Sequence, residues 1–190
     1  MTAINRLTAG QSRLNQAEGE RRLCGFGKAI VAIGANLGDP ISAARGAAEA
    51  LEAYAVGPVL RSSLWQSDPL DCPPGSPVFV NAVVTFETNV APMTLLGLMQ
   101  GLERQAGRHP GRVKNAPREL DLDLIAVGPL QVKTETLELP HPRAPERAFV
   151  LRPLAELCPR LVLPGQTQSV SALCRVLPGQ GVVLLSPWPW

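Results

Sequence analysis

Asp121 and Asp123 stand two residues apart in the stretch Arg118-Glu119-Leu120-Asp121-Leu122-Asp123-Leu124-Ile125. Successive side chains of a strand alternate faces, so Leu120, Leu122 and Leu124 would share one face and both aspartates the other. Aspartate is depleted in strands, and two carboxylates on one face repel each other unless positive charge lies between them. A hard divalent cation bridged by phosphate oxygens satisfies that arrangement; a solvated edge-strand face is the plainer alternative. The segment just before the pair is basic, with Arg108, His109, Arg112, Lys114 and Arg118 lying between Gly107 and Glu119 and no acidic residue among them. An irregular stretch of that length inside a compact domain is more often a functional lid than a simple connection. Basic side chains ahead of a carboxylate pair suit a polyphosphate, with metal neutralising some oxygens and arginines gripping others in bidentate fashion. Together the two features favour phosphoryl chemistry.

Other positions carry weaker signals. Asn81 lies mid-strand among apolar neighbours in Phe79-Val80-Asn81-Ala82-Val83. A buried amide needs hydrogen-bond partners, supplied either by backbone or by a polar heteroaromatic ligand. His141 is fixed between Pro140 and Pro142, with Arg143, Arg147 and Phe149 close behind, which reads as a positioned binding edge or a surface turn. No G-x-x-x-x-G-K-[ST] occurs, so a P-loop is excluded, and Gly34-Ala35-Asn36-Leu37-Gly38 is a weak phosphate signal without that lysine.

The elements that must hold these residues follow from periodicity. Residues 28–34 read as a buried strand, and 41–55 as an amphipathic helix with Asp39 as N-cap, Pro40 at its first position and Ile41, Ala44, Ala48, Leu51 and Ala55 on one face. Residues 59–67 alternate like a strand, 68–77 form a proline-rich loop, 78–88 a long strand, 91–107 a second helix and 119–127 a further strand. The order β-α-β-β-α-β predicts an α+β, ferredoxin-like core: a mostly antiparallel sheet with helices packed on one face. C-terminal additions follow as a hairpin partner at 131–139, short helices at 148–157 and 169–176, and a strand at 182–185. Such a fold hosts many functions, so function has to come from the site.

Composition narrows the classes. One hundred and ninety residues, 45% of them hydrophobic, suffice for one domain. A net charge of +2 gives no electrostatic case for nucleic-acid binding, and no run of eighteen apolar residues suggests a membrane span. Cys24, Cys72, Cys158 and Cys174 form no C-x-x-C pair, and only two histidines accompany them, which argues against structural zinc and fits reduced thiols in a cytoplasm. Residues 1–27 lack the apolar core of a secretory signal and are expected to be a disordered extension, leaving 28–190 as the single domain.

Read together, the motifs IGANLGDP, PVFVNAVVTFET, LLGLMQGLERQAGR, PRELDLDLI and LPHPRAPERAFVLRPLAEL, in order across 28–165, resemble the 6-hydroxymethyl-7,8-dihydropterin pyrophosphokinases of folate biosynthesis. The resemblance implies that Asp121 and Asp123 hold two Mg²⁺ ions bridging ATP and the pterin hydroxymethyl oxygen, and that Arg108 and Arg118 engage the phosphates catalytically. It implies an ATP site of Gln100, Glu103, Lys114, Arg118, His141 and Arg147, and a pterin pocket of Gly34, Pro69, Leu70, Phe79, Asn81 and Phe149. The implied reaction is in-line attack of the substrate hydroxyl on the β-phosphorus of ATP, with AMP leaving, performed by a monomer without nucleic-acid or membrane partners. The chain departs from the family where R-W-G-P-R is common and Asn115-Ala116-Pro117-Arg118 follows Lys114, because Asn115 cannot stack on a ring. It also has G-A-N where G-S-N is commoner, and Pro110 where some members are basic. Two other readings stand beside this one: a non-catalytic pterin- or nucleotide-binding relative with a degenerate lid, and an RNA-binding module. The latter needs aromatics on the sheet face, and the chain has only eight aromatics in all.

Overall fold

The computed structural model describes residues 26–108 and 115–190. Residues 1–25, and with them most of the expected extension, lie outside the described residues, as do His109, Arg112 and Lys114. Gly27, expected to be outside the fold, already opens the first strand.

In chain order the elements are β1 (Gly27–Ala35), α1 (Pro40–Glu52), β2 (Leu60–Arg61), β3 (Leu64–Ser67), β4 (Phe79–Thr88), α2 (Pro92–Gln105) and β5 (Asp121–Val127). After them come β6 (Val132–Lys133), β7 (Glu138–Leu139), α3 (Ala148–Leu157), α4 (Val170–Val176) and β8 (Val183–Ser186). The main sheet runs β5-β1-β4-β3-β8, with β2 also pairing β4, and its pairings are antiparallel. This is the expected ferredoxin-like arrangement, extended at one edge by β8.

Alternation along β1 builds two cores. Ala29, Val31 and Ile33 pack with Ala44, Ala47, Ala48 and Leu51 of α1 and with Leu95 and Met99 of α2. Small side chains at the α1 contact let that helix approach the sheet closely. Ile30 and Ala32 point the other way, where Val83 and Ile125 meet Val150, Leu151 and Leu154 of α3 and Val170 of α4. The one-sided expectation holds for α1 and α2; the C-terminal helices cover the opposite face, the one an RNA-binding module of this topology would leave open.

Local chemistry explains the element ends. Asp39 caps α1 by accepting the Ser42 N–H at 3.1 Å and the Ser42 hydroxyl at 2.7 Å. The helix ends at Glu52 rather than 55, with Ile41 exposed and Ala47 taking a core position that the expected stripe omitted. The expected strand 59–67 splits at Ser62-Ser63. The Ser62 hydroxyl accepts the Val83 N–H at 2.9 Å and donates to the Ser63 carbonyl at 2.8 Å, replacing ladder geometry with side-chain bonds. The 131–139 segment forms its own two-stranded sheet, β6 with β7, instead of joining the main one.

Candidate active site

Register places the chemistry in one row across three strands. Gly34 of β1 lies opposite Asn81 of β4 and Asp121 of β5; two residues along, Ala32 lies opposite Val83 and Asp123. Side chains two apart share a face, so Asp121, Asp123, Asn81 and Phe79 project together on the side that carries α3. Gly34 keeps the floor between them low. A Cβ there would stand 3.6 Å from Asn81 Oδ1, 3.7 Å from Phe79 Cδ1 and 3.9 Å from Asp121 Cβ.

Three arginines converge on the aspartate pair. Arg118 Nη1 donates to Asp121 Oδ1 at 2.9 Å, and Arg108 Nη1 lies 3.4 Å from the same oxygen. Arg147 Nη1 donates to Asp123 Oδ2 at 2.7 Å. Glu103, buried on α2, holds Arg108 through Oε1 and with that oxygen accepts the Leu122 N–H at 2.9 Å, so it is pinned to the strand between the two aspartates. Burial pushes the Asp121 carboxyl above its usual range and the adjacent Asp123 charge pushes it further, while Arg118 and Arg108 pull it back. Burial holds His141 below the usual imidazole value, Arg147 and Arg143 act in the same direction, and Asp123 opposes them. The ring is therefore neutral at pH 7, its Nδ1 accepting the Arg143 N–H at 3.2 Å and its Nε2 facing Asp123 Oδ2 at 4.0 Å.

Arg118 is fixed by backbone. Asn36 Oδ1 accepts the Arg118 N–H at 2.7 Å, the Asn36 N–H donates to the Arg118 carbonyl at 3.0 Å, and Asn36 Nδ2 donates to the Pro77 carbonyl at 3.0 Å. The Arg118 guanidinium carbon sits 6.0 Å from the Phe79 ring centroid, and its buried Nε has no partner among the described residues.

Gly34, Phe79, Asn81, Arg118, Arg147 and the two aspartates line a cleft of about 670 Å³ that also receives Phe149 from the first turn of α3 and Leu70 from the 68–77 loop. Asn81 Nδ2 donates to Ser67 Oγ at 3.0 Å and to the Trp65 carbonyl at 3.3 Å. The amide nitrogen of Asn81 is thus structural, and its oxygen lies on the Gly34 side of the cleft. A second hollow of about 700 Å³, lined by Leu96, Leu122, Leu124, His141 and the 134–138 turn, shares Asp123 with the first.

The family model for 7,8-dihydro-6-hydroxymethylpterin-pyrophosphokinase (HPPK) matches residues 30–159. The chain belongs to the HPPK family. The 2-amino-4-hydroxy-6-hydroxymethyldihydropteridine pyrophosphokinase of Pseudomonas aeruginosa is 39% identical to it over 138 residues, covering 72% of this chain and 84% of that protein. The protein of the same name from Bacillus subtilis is 38% identical over 131 residues, 68% of this chain and 77% of the relative. A crystal structure of HPPK-DHPS in complex with substrates superposes with a TM-score of 0.62 at 12% identity, over 78% of this chain and 43% of that one. At that identity the likeness is one of fold, and this chain spans less than half of the solved chain.

Against this HPPK background, most expected site residues converge: Gly34, Leu70, Phe79, Asn81, Arg118, Asp121, Asp123, Arg147 and Phe149 line the cleft, and His141 lines the second hollow. Arg108 and Glu103 stand just behind Asp121. Pro69 lies between the lining residues Asp68 and Leu70, and Gln100 is exposed on α2, one turn before Glu103 and outside both hollows. Lys114 lies outside the described residues. Sequence reasoning assigned no role to Asn36, Asp68, Asp71 or Cys72, of which all but Asn36 line the cleft, as does Arg143, expected only as part of the edge or turn around His141. Their signal was proximity to motifs already singled out. Asn115, noted as a departure, acts as a clasp: its Nδ2 donates to the Asp71 carbonyl at 2.9 Å. Both residues adopt left-handed backbone, φ +59° and +56°. Tryptophan at 115 would lose that bond in a conformation bulky residues disfavour.

Two expected outcomes follow from this geometry. Gly34→Val should fold with a Tm shift below about 3 °C, because φ at 34 is not left-handed and a Cβ meets only ordinary contacts. Its methyl groups would fill the cleft floor, so calorimetric pterin affinity should fall by about 100-fold, with Gly34→Ala losing less. Unchanged affinity would show that the ligand does not rest on this row. For Glu103, burial raises the carboxyl above its ordinary 4.5, against the pull of the Leu122 N–H and of Arg108. A carboxyl raised on folding contributes stability below its ordinary value and loses it as pH rises through the raised one. Glu103→Gln keeps an oxygen for the Leu122 N–H and buries no charge. Its Tm should therefore gain on wild type as pH rises above 4.5, and a gap that stays constant across that range would contradict the burial argument.

Proposed function

We propose that this chain transfers the pyrophosphoryl group of Mg-ATP to the hydroxymethyl oxygen of 6-hydroxymethyl-7,8-dihydropterin, releasing AMP. One observation carries the reading: the Asp121–Asp123 pair, ringed by Arg108, Arg118 and Arg147, sits where the aromatic cleft meets the second hollow. A flat heteroaromatic fits between Phe79 and Phe149 with its polar edge on Asn81. The nucleotide fits the second hollow, where neutral His141 presents a donor beside Asp123. The names of the curated relatives give both the pterin and the pyrophosphoryl chemistry.

The donor set suits magnesium. Asp121 and Asp123 offer hard carboxylate oxygens from one strand face, and burial together with mutual repulsion makes a cation there favourable. Among the described residues no cluster of three or more His, Cys, Asp or Glu side chains forms a cage. Magnesium is typically held by one or two carboxylates, with phosphate oxygens and water completing its shell. Two such ions would supply charge neutralisation at the phosphates and polarise the attacking hydroxyl.

The chain's own residues do the positioning. Phe79, Phe149 and Asn81 orient the ring so that its hydroxymethyl group reaches the carboxylate pair. Arg118, Arg108 and Arg147, held by carboxylates before substrate arrives, exchange those partners for phosphate oxygens. The hydroxyl oxygen bonds to the β-phosphorus, its proton is released, and the bond to the AMP oxygen breaks in line. Fixing two substrates end to end among preorganised donors accounts for most of the acceleration. The free thiols Cys72, Cys158 and Cys174 fit a cytoplasmic setting.

The test is AMP release from Mg-ATP with and without the pterin. Pterin-dependent AMP is the expected result. ADP would mean γ-phosphoryl transfer and a misplaced nucleotide; pterin binding without product would mean a binding protein that does not turn over.

A further inference from the structure

The family match ends at residue 159, yet the turn at 179–182 touches both walls of the cleft. Gln180 is the centre of that turn. Its side-chain oxygen accepts the Ala148 N–H at 2.9 Å, and its side-chain nitrogen donates to the Glu146 carbonyl at 3.0 Å. One carboxamide thus grips the backbone on both sides of Arg147. That residue starts α3 without a side-chain cap of its own, so Gln180 supplies the missing cap from beyond the matched region. Arg147 holds Asp123 at 2.7 Å, and its guanidinium carbon lies 5.4 Å from the Phe149 ring centroid. The grip therefore sets the start of the helix that delivers both a phosphate-side arginine and a cleft aromatic.

The rest of the turn is built to stay there. Arg152 of α3 donates to the Val182 carbonyl at 2.9 Å, and β8 then pairs with β3. Gly181, in left-handed backbone at φ +62°, lies so close to the carboxylate of the cleft residue Asp68 that a Cβ would collide with it. Gln180 itself is held at φ +48°, a conformation that glutamine rarely adopts and that orients its side chain toward Glu146.

We propose that Gln180 is a positioning residue for Arg147 and Phe149, so that the C-terminal turn sets the geometry of the pterin–phosphate junction. The proposal rests on the reaction assigned above. Gln180→Ala should lower kcat for AMP formation and weaken calorimetric pterin binding, each by about tenfold, the lower end for groups that orient a ligating residue. Gln180→Glu still accepts the Ala148 N–H, at a helix N-terminus that favours its charge, but cannot donate to the Glu146 carbonyl. It should recover pterin affinity and leave kcat low, a split that loss of stability would not produce. Val183→Ser loosens exposed β8 without touching Arg147 and should keep wild-type kinetics. Wild-type kcat and affinity in Gln180→Ala, or the same losses in Val183→Ser, would overturn the proposal. Wild type is assayed alongside: no AMP from wild type counts against the reaction, whereas the pterin-affinity comparison still judges Gln180.

Discussion

Asp123→Asn should abolish pyrophosphoryl transfer while leaving the fold intact. Asp123 is the carboxylate shared by the two hollows, and its side chain is 31% exposed toward them. Asparagine keeps an oxygen for Arg147, so that arginine, only 12% exposed, retains a hydrogen-bond partner. Alanine would strand a partly buried guanidinium and mix a stability loss into the kinetics. What asparagine removes is the negative charge that would hold a cation against the phosphates. Metal-based charge stabilisation contributes several kcal/mol, and about 4 kcal/mol corresponds to about 1,000-fold in rate. We therefore expect kcat for AMP formation to fall by about 1,000-fold or more, with the thermal melt essentially unchanged and pterin affinity within a few-fold. Wild-type turnover in Asp123→Asn would remove the aspartate pair from the metal assignment.

Local signals carried much of this site, and long-range ones did not. Alternation in Leu120-Asp121-Leu122-Asp123-Leu124 put both carboxylates on one face, and the structure has them there because the same alternation buries the three leucines beneath α1 and α2. Asp39 and Pro40 announced α1 because capping is a property of adjacent residues. Register is different: that Gly34, Asn81 and Asp121 form one row depends on pairing between strands separated by whole helices. Asn36 shows the same limit. In sequence it is an ordinary turn residue, and its bond to Arg118 spans 82 positions. Gln180 lies in a segment that periodicity could describe only as a link between a short helix and a strand. Even the break at Ser62-Ser63 needed the partner strand, since the hydroxyl that interrupts the ladder is satisfied by Val83.

The Asn36 clamp makes Arg118→Ala an informative variant. The clamp uses only the Arg118 backbone N–H and carbonyl, so alanine keeps both bonds and the approach to β5 stays in place. What disappears is a guanidinium 80% shielded from solvent, with one ion pair to Asp121 and a buried Nε that lacks a partner among the described residues. An unsatisfied buried donor costs free energy, so losing it offsets part of the lost ion pair. The Tm should move by less than about 3 °C in either direction. Catalysis has no such compensation. A preorganised donor aimed at developing phosphate charge contributes about 3–4 kcal/mol, which is about 100- to 1,000-fold in kcat. Arg118→Lys should recover only part of it, because an ammonium keeps the charge and lacks the planar fork that meets two phosphate oxygens at once. Steady-state AMP release, paired with melts of the same preparations, separates the two effects. A kcat loss that tracked the Tm across Ala and Lys would mean that Arg118 shapes the loop; a large loss at constant Tm would mean that its guanidinium acts on the phosphates.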